Sequence, residues 1–332
     1  MDIKIFIINL ESSTNRKSAM IEKIGKIQGF NIFLEDKLIK SEARDFNVKD
    51  FKNYKNKIME FNLDSKVIDS SDLKTKNIDS THLLDSILLN SMQDISLDSA
   101  NTKDFTPNLY FYFFKATNAK DVENKNIEIP NYKPKLMRLI KGKELRSGEI
   151  ACFHSHFRLW QKCLRLGSPI IVLEDDIDFM PNFSEIINIY NSPFCYVRLY
   201  YLFERKVKQI KDNFYISFGK ISGTQGYYLM PNAAKKFIYS AKNYIACVDD
   251  YMDMFFIHNV PNIIYKPFII SEDKLFLGSS DIEGREKTKI PFFYKISREI
   301  ARIYFHIFKK SIFLIIHKNS IKKRLDEFKR TH

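Results

Sequence analysis

The chain sets three carboxylic acids in succession, Glu174, Asp175 and Asp176, directly behind the apolar run Ile170-Ile171-Val172-Leu173, with a fourth acid, Asp178, two places further on. An apolar run of that length fits a strand covered on both faces. Carboxylates are rarely buried unless they pair or hold a metal, so acids ending such a strand need solvent or a cation. In open α/β sheets, ligands bind outside the carboxyl ends of the strands. Alternate residues of an extended segment face the same way, so Glu174 and Asp176 can reach one ligand together while Asp175 points elsewhere. Hard oxygen ligands at this spacing suit Mg²⁺ or Mn²⁺, which could in turn hold the oxygens of a diphosphate. A solvated loop with helix-capping acids is the alternative reading.

Other residues could share that chemistry. Val248-Asp249-Asp250 opens a helical pattern running to His258, a position where the helix dipole favours acids whatever their function. A carboxylate there could also take the proton from an attacking hydroxyl. On one unbroken helix Asp249 and Asp253 share a face and Asp250 does not, and both Asp249 and Asp250 stay candidates for the base. Gly223-Thr224-Gln225-Gly226 stands out in a chain with ten glycines: two of them at a strand entrance let a ligand approach the backbone, although an ordinary turn reads the same way. Asn9 ends the first strand and Arg16 lies in the following helix, where a nucleotide-binding sheet commonly meets base or phosphate; both could equally face solvent. His154 and His156 lie two apart in a helical segment, which argues against a two-histidine metal site and leaves one of them to line the cleft. His258 is a candidate third metal ligand, with capping or packing as the alternative.

The elements that must position these groups follow from periodicity. Ile3 to Leu10 reads as a buried strand and Ser13 to Ile27 as a helix, which suggests an α/β sheet. From Asn31 to about Lys143 the pattern dissolves into Asn, Lys, Asp and Ser, and we expect a large, partly helical insertion at about 31–145. Order returns with a helix over Gly148 to Gly167, ended by a glycine suited to the left-handed cap. Next come strands at 195–203, 214–218 and 226–230, a helix opened by Pro231, and an edge or irregular strand at 263–270. At 332 residues and 45% hydrophobic content the chain has ample material for a large core. Its four cysteines show no metal-finger spacing and are expected to be reduced. No signal peptide or run of roughly 18 apolar residues is evident, so the expected location is the cytoplasm.

The formal net charge of +13 is uneven. From Pro291 to His332 there are eleven Lys or Arg against three acids, a net +8. Ile296, Ile300, Ile303, Ile307 and Leu314 form one helical stripe there, with Lys295, Arg298, Arg302, Lys309 and Lys310 largely off it. Such a basic amphipathic tail (291–332) can lie on an anionic leaflet, here the inner face of the cytoplasmic membrane. Docking on its own domain or on a second subunit is the alternative, and a homo-oligomer stays open.

Several ordered stretches together resemble glycosyltransferase family 25, the bacterial lipooligosaccharide β-1,4-galactosyltransferases. They are FIINLESSTNR, SGEIACFHSHFRLWQKCL, IIVLEDDI, GTQGYYLMPNAAKKF and VDDYMDMFFIHNVPNIIYKPFIISED. The resemblance implies a GT-A-type nucleotide-sugar-binding α/β domain over 1–290, a divalent metal beneath the diphosphate, and inversion at the anomeric carbon. Carried over by position, Glu174-Asp175-Asp176 is the metal and donor motif. Asp176 is then a metal ligand and Glu174 a metal, ribose or sugar contact. His156 and Trp160 match the family's S-H-x-x-x-W helix and are expected at the substrate. Asn9 and Arg16 are implied at the nucleotide, Gly223, Thr224 and Gln225 at the donor, and Asp249 as base. The expected reaction moves galactose from UDP-galactose to N-acetylglucosamine or another sugar on a lipid-linked glycan, with Mn²⁺ or Mg²⁺. A glucosyl- or N-acetylhexosaminyltransferase on the same scaffold is the first rival. A basic nucleic-acid or anionic-surface adaptor is the second; no nucleic-acid motif supports it. The long 31–143 stretch and GEIAC in place of the commoner GEIGC depart from the family pattern, so acceptor and linkage do not carry over.

Overall fold

The computed structural model describes residues 1–40, 106–129, 131–203, 207–273, 275 and 290–312, all within one compact unit of the chain. In order they form β1 (Asp2–Asn9), α1 (Thr14–Gly25), β2 (Asn31–Leu34), β3 (Lys37–Lys40), β4 (Asn108–Lys115), α2 (Ala119–Glu123), α3 (Pro134–Lys141), α4 (Ser147–Leu166), β5 (Ile170–Glu174), β6 (Ile177–Phe179), α5 (Ile186–Tyr190), β7 (Tyr196–Arg198), β8 (Lys208–Lys211), β9 (Phe214–Ser217), β10 (Gly226–Leu229), α6 (Pro231–Ser240), α7 (Val248–Met252), α8 (Phe255–His258), β11 (Asn262–Tyr265), β12 (Ile270–Glu272) and α9 (Phe292–Ile312). The fold is mixed α/β around one large sheet.

Among the described residues that sheet has ten strands in the order β3-β2-β4-β1-β5-β10-β7-β11-β9-β8, and β6 pairs with β12 in a separate ribbon. At its centre β1 runs parallel to both β4 and β5, whereas β10 runs antiparallel to β5. Successive strand residues face opposite ways, and both faces are covered. Ile3, Ile5, Ile7, Ile171 and Leu173 pack with Met20 and Ile24 of α1. Phe6, Ile170 and Val172 pack on the other side with Phe153, Phe157 and Trp160 of α4 and Phe237 of α6. This two-sided burial is why the run before Glu174 has no polar interruption.

α4 is held at both ends. The Arg146 N–H donates to Glu149 Oε2 (2.9 Å), a carboxylate in the first turn where the dipole favours it. Gly167 closes the helix at φ +62°, the expected left-handed cap. Pro231 occupies the first turn of α6, also as expected.

Three expectations need correction. The stretch 31–145 is not a simple insertion: it supplies β2 and β3, and β4, the parallel neighbour of β1 on the side away from β5; residues 41–105 of it lie outside the described ones. The helix expected over 248–258 is two short helices, with Asp253 ending α7, because the Asp253 carboxylate is drawn to partners away from the helix. The strand expected over 195–203 is regular only at 196–198. Beyond it, single backbone bonds such as Leu199 N–H to Gly226 O (3.0 Å) continue an irregular path. No helix among the described residues is long and apolar enough to cross a membrane. The cysteines are free, as expected.

At Gly226 a Cβ would run into Ile270 Cδ1 and come within 2.9 Å of Leu173 Cδ2, both side chains being fully buried. Gly226→Ala should therefore destabilise the fold by about 1–3 kcal/mol through overpacking, read as a lowered urea midpoint at unchanged slope. An unshifted midpoint would mean that this edge is loosely packed.

Candidate functional site

Strand directions assemble the site. Because β1 and β5 are parallel, Asn9 and Glu174 end at the same edge of the sheet. β10 is antiparallel to β5, so the residues that precede it, 223–225, enter at that edge too. α7 then brings Asp249 to the same place: the Thr224 hydroxyl lies within hydrogen-bond reach of Glu174 Oε1 and, at 3.0 Å, of Asp249 Oδ1. One hydroxyl has one proton, so it serves one carboxylate at a time.

The three consecutive acids are sorted by the strand's alternation. Asp175 turns towards β1 and α1, where Asn9 Nδ2 donates to Oδ2 (2.6 Å) and Arg16 Nη1 to Oδ1 (3.2 Å). Asn9 and Arg16, expected at the nucleotide, thus fix Asp175 here. Glu174 and Asp176 stay with the site. Arg16 Nη1 lies 3.8 Å from Asp176 Oδ2, while Asp176 Oδ1 is buried with no hydrogen-bond partner. Burial pushes both carboxyls above the usual range: for Glu174 it outweighs the Thr224 hydrogen bond and is joined by the charges of Asp175 and Glu272, and for Asp176 it acts with the charges of Glu174 and Asp175. Asp249 is raised as well, by burial first and Glu174 second.

Asp250 behaves in the opposite way. Lys141 Nζ (3.0 Å) and Lys220 Nζ (2.6 Å) both pair with it. Burial alone would raise its pKa, but the two ammonium groups outweigh burial and hold it low. Of the two acids left open by the sequence, Asp249 faces the site and Asp250 is tied to lysines beside it.

Behind Glu174 lies a buried relay. The Trp160 Nε1–H can only donate and does so to the Tyr227 hydroxyl oxygen (3.1 Å). The Tyr227 proton is then free for His156 Nδ1 (3.0 Å). This places the imidazole's own proton on Nε2, which lies 3.4 Å from Glu174 Oε1 without a hydrogen bond. Burial lowers the His156 pKa to about 4, so the ring is neutral. Cys152, one turn earlier, completes a trio in which Sγ, a His156 ring nitrogen and a Glu174 oxygen lie within 4.8 Å of one another. Burial holds its thiol protonated. His156 and Trp160 were expected at the substrate, but both are 0% exposed. They act on the site through Glu174 and the packing beneath it.

His258 is not a metal ligand in this fold. Its Nδ1 accepts from the Val260 N–H (3.2 Å), so Nε2 carries the proton and donates to Tyr251 O (3.2 Å). Both nitrogens are spent on the backbone, and burial lowers its pKa to about 3. His154 meets Thr117 Oγ1 at 2.8 Å. Gln225 Nε2 donates to Glu272 Oε1 (3.3 Å). Gly223 holds φ +87°, a conformation other residues rarely adopt.

Sequence reasoning missed Arg198. It is 1% exposed and donates to Ser222 O (3.1 Å), to Gly223 O and to Asp253 Oδ1 (2.9 Å). Asp253 also accepts from the N–H groups of Ile221 and Ser222 (3.0 and 2.9 Å). This buried pair fastens the loop that presents Thr224; a lone arginine in an apolar strand was the only signal. Asp273 was also missed, although it closes the acid-rich Ser271-Glu272-Asp273. Its N–H donates to Asp176 O (2.8 Å), and its carboxylate pairs with Lys23.

A hard divalent cation fits these donors. Glu174 and Asp176 offer partly buried carboxylate oxygens, one of which, Asp176 Oδ1, is buried with no hydrogen-bond partner, and oxygen is what Mg²⁺ and Mn²⁺ select.

A central sheet with acids at the carboxyl end of an inner strand is consistent with a Rossmann-like glycosyltransferase fold. Within that class the chain is similar to glycosyltransferase family 25 (LPS biosynthesis protein), whose model matches residues 93–252. The match takes in Glu174 to Asp176, Thr224 and Asp249 but neither β1 nor residues beyond Met252. The chain is also 33% identical over 87 residues to the procollagen lysyl hydroxylase and glycosyltransferase of Acanthamoeba polyphaga mimivirus, 24% of this chain and only 9% of that protein's length. Both findings support a glycosyltransferase.

The raised carboxyls have a consequence for stability. A carboxyl whose folded pKa lies above its ordinary value of 3.8 costs the fold nothing below that pH and progressively more as pH rises through the folded value. Asp176→Asn removes this cost. In EDTA at pH 8 the variant should be the more stable protein by at least about 1 kcal/mol, the worth of less than one pKa unit, and the gain should fade towards pH 4. A variant less stable than the parent at pH 8 would contradict the assignment.

Proposed function

We propose that the chain is an inverting, metal-dependent β-1,4-galactosyltransferase, moving galactose from UDP-galactose to N-acetylglucosamine or another sugar of a lipid-linked glycan in lipopolysaccharide or lipooligosaccharide biosynthesis. The observation that carries this reading is the convergence of Glu174, Asp176 and Asp249 at the carboxyl end of β5, with Asp250 turned away to Lys141 and Lys220. The similarity to a family of LPS biosynthesis proteins supports the acceptor class.

Glu174 and Asp176 are the residues that would hold Mn²⁺ or Mg²⁺, which supplies positive charge to a departing diphosphate. Asp249 takes the proton from the acceptor hydroxyl. Its raised pKa suits that task, since a base works best with a pKa near the working pH. Asp250, held low by two lysines, is a weaker base and keeps α7 in place. The Thr224 hydroxyl links Glu174 to Asp249, and Arg198 fixes the loop beneath it. The Trp160–Tyr227–His156 relay backs Glu174 and excludes water from that side.

Screening UDP-sugars with Mn²⁺ and an N-acetylglucosamine acceptor tests this reading. UDP-galactose should give a β-1,4-linked product. Asp249→Asn should lower kcat by about 10²–10⁴-fold, the range general-base catalysis contributes, whereas Asp250→Asn should stay within about tenfold. Equal losses, or preferred use of another donor, would overturn the assignment.

A further inference from the structure

α9 shows three faces. Ser297, Arg298, Ala301, Phe305 and Phe308 are half-buried and hold the helix to the unit: the Ser297 hydroxyl donates to Leu139 O of α3, and Phe256 of α8 meets Phe305 and Phe308 with ring centroids 6.0 and 6.4 Å away. Next round the helix, Phe292, Phe293, Ile296, Ile300 and Ile303 form a continuous apolar stripe pointing to solvent. Ile296, Ile300 and Ile303 are 45%, 62% and 61% exposed. At one margin of the stripe, on the side away from Ser297, stand the exposed Lys295 and Arg302.

Docking on the described part of its own domain does not account for this stripe, because among the described residues the face that docks is a different one. We propose that α9 is a surface anchor which lays Phe292, Phe293, Ile296, Ile300 and Ile303 into the interfacial layer of an anionic lipid bilayer. Charge selects this occupant. A second copy would set one basic segment, net +8 over 291–332, against another, and like charges repel. An anionic leaflet attracts that charge and accepts the apolar stripe in its acyl boundary. Nucleic acid would satisfy the lysines and arginines but offers nothing to five adjacent apolar side chains. The helix lies along the surface; it does not span.

Co-sedimentation of the full chain with vesicles, without donor or acceptor, tests this independently of the transferase reading. The chain should bind phosphatidylglycerol/phosphatidylcholine vesicles, bind phosphatidylcholine alone at least about tenfold more weakly, and lose affinity with salt. The double variant Ile300→Asp with Ile303→Asp should melt like the parent, since both side chains are exposed, and bind the anionic vesicles about tenfold or more weakly. Lys295→Glu with Arg302→Glu should do the same. Absence of vesicle binding by the parent, or undiminished binding by the Ile300/Ile303 variant, would overturn the proposal. So would a concentration-dependent dimer dissolved by that variant, which would make the stripe a contact between copies.

Discussion

The site depends on an electrostatic conflict: Glu174, Asp176 and Asp249 are gathered at one sheet edge with too few cationic partners nearby. Removing an ionised carboxylate from water costs several kcal/mol unless it is paired and hydrogen-bonded. Asp175 meets that requirement through Asn9 and Arg16, and Asp250 through Lys141 and Lys220. The other three do not, and their pKa values rise as a result. A divalent cation resolves the conflict more fully than protonation, since one ion answers several carboxylates at once. The fold therefore stores an affinity for positive charge at this edge of the sheet.

Packing makes the conflict inescapable. The β5 run is sealed on one face by α1 and on the other by α4 and α6, so Glu174 cannot retreat into solvent by shifting the strand without slipping every core residue to the wrong face. The loop carrying Thr224 is equally fixed. Arg198 and Asp253 clamp it from below, and removing one partner of such a buried pair typically costs about 3–5 kcal/mol. His156, neutral and backed by Tyr227 and Trp160, presents an N–H rather than a charge to Glu174. The relay thus shapes the carboxylate's surroundings without neutralising it.

Much of this was legible in the sequence because it rests on short-range rules. The apolar run into acids fixed β5 and its end, Gly167 and Pro231 marked helix boundaries, and strand alternation separated Asp175 from Glu174 and Asp176. What was hidden depends on contacts distant in sequence. β4, a strand of eight residues with five consecutive aromatics, lies far along the chain from β1, and nothing local reveals that the two pair. The helix break at Asp253 follows from a carboxylate drawn to Arg198, Ile221, Ser222 and Asn262, a tertiary pull that overrides periodicity. Burial explains the remaining corrections. His156, Trp160 and His258 carry chemistry-bearing side chains, but a sequence does not say whether a ring nitrogen meets a ligand, a tyrosine or a backbone carbonyl.

Cation capture by Glu174, Asp176 and Asp249 is measured most directly by titrating Mn²⁺ into the full chain without nucleotide near pH 7, by calorimetry in two buffers of different ionisation enthalpy. One saturable site is expected, whose occupation releases protons because carboxyls held above their usual range must ionise to bind, with both signals absent in Glu174→Gln. Mn²⁺ binding without proton release, or binding undiminished in Glu174→Gln, would contradict this expectation.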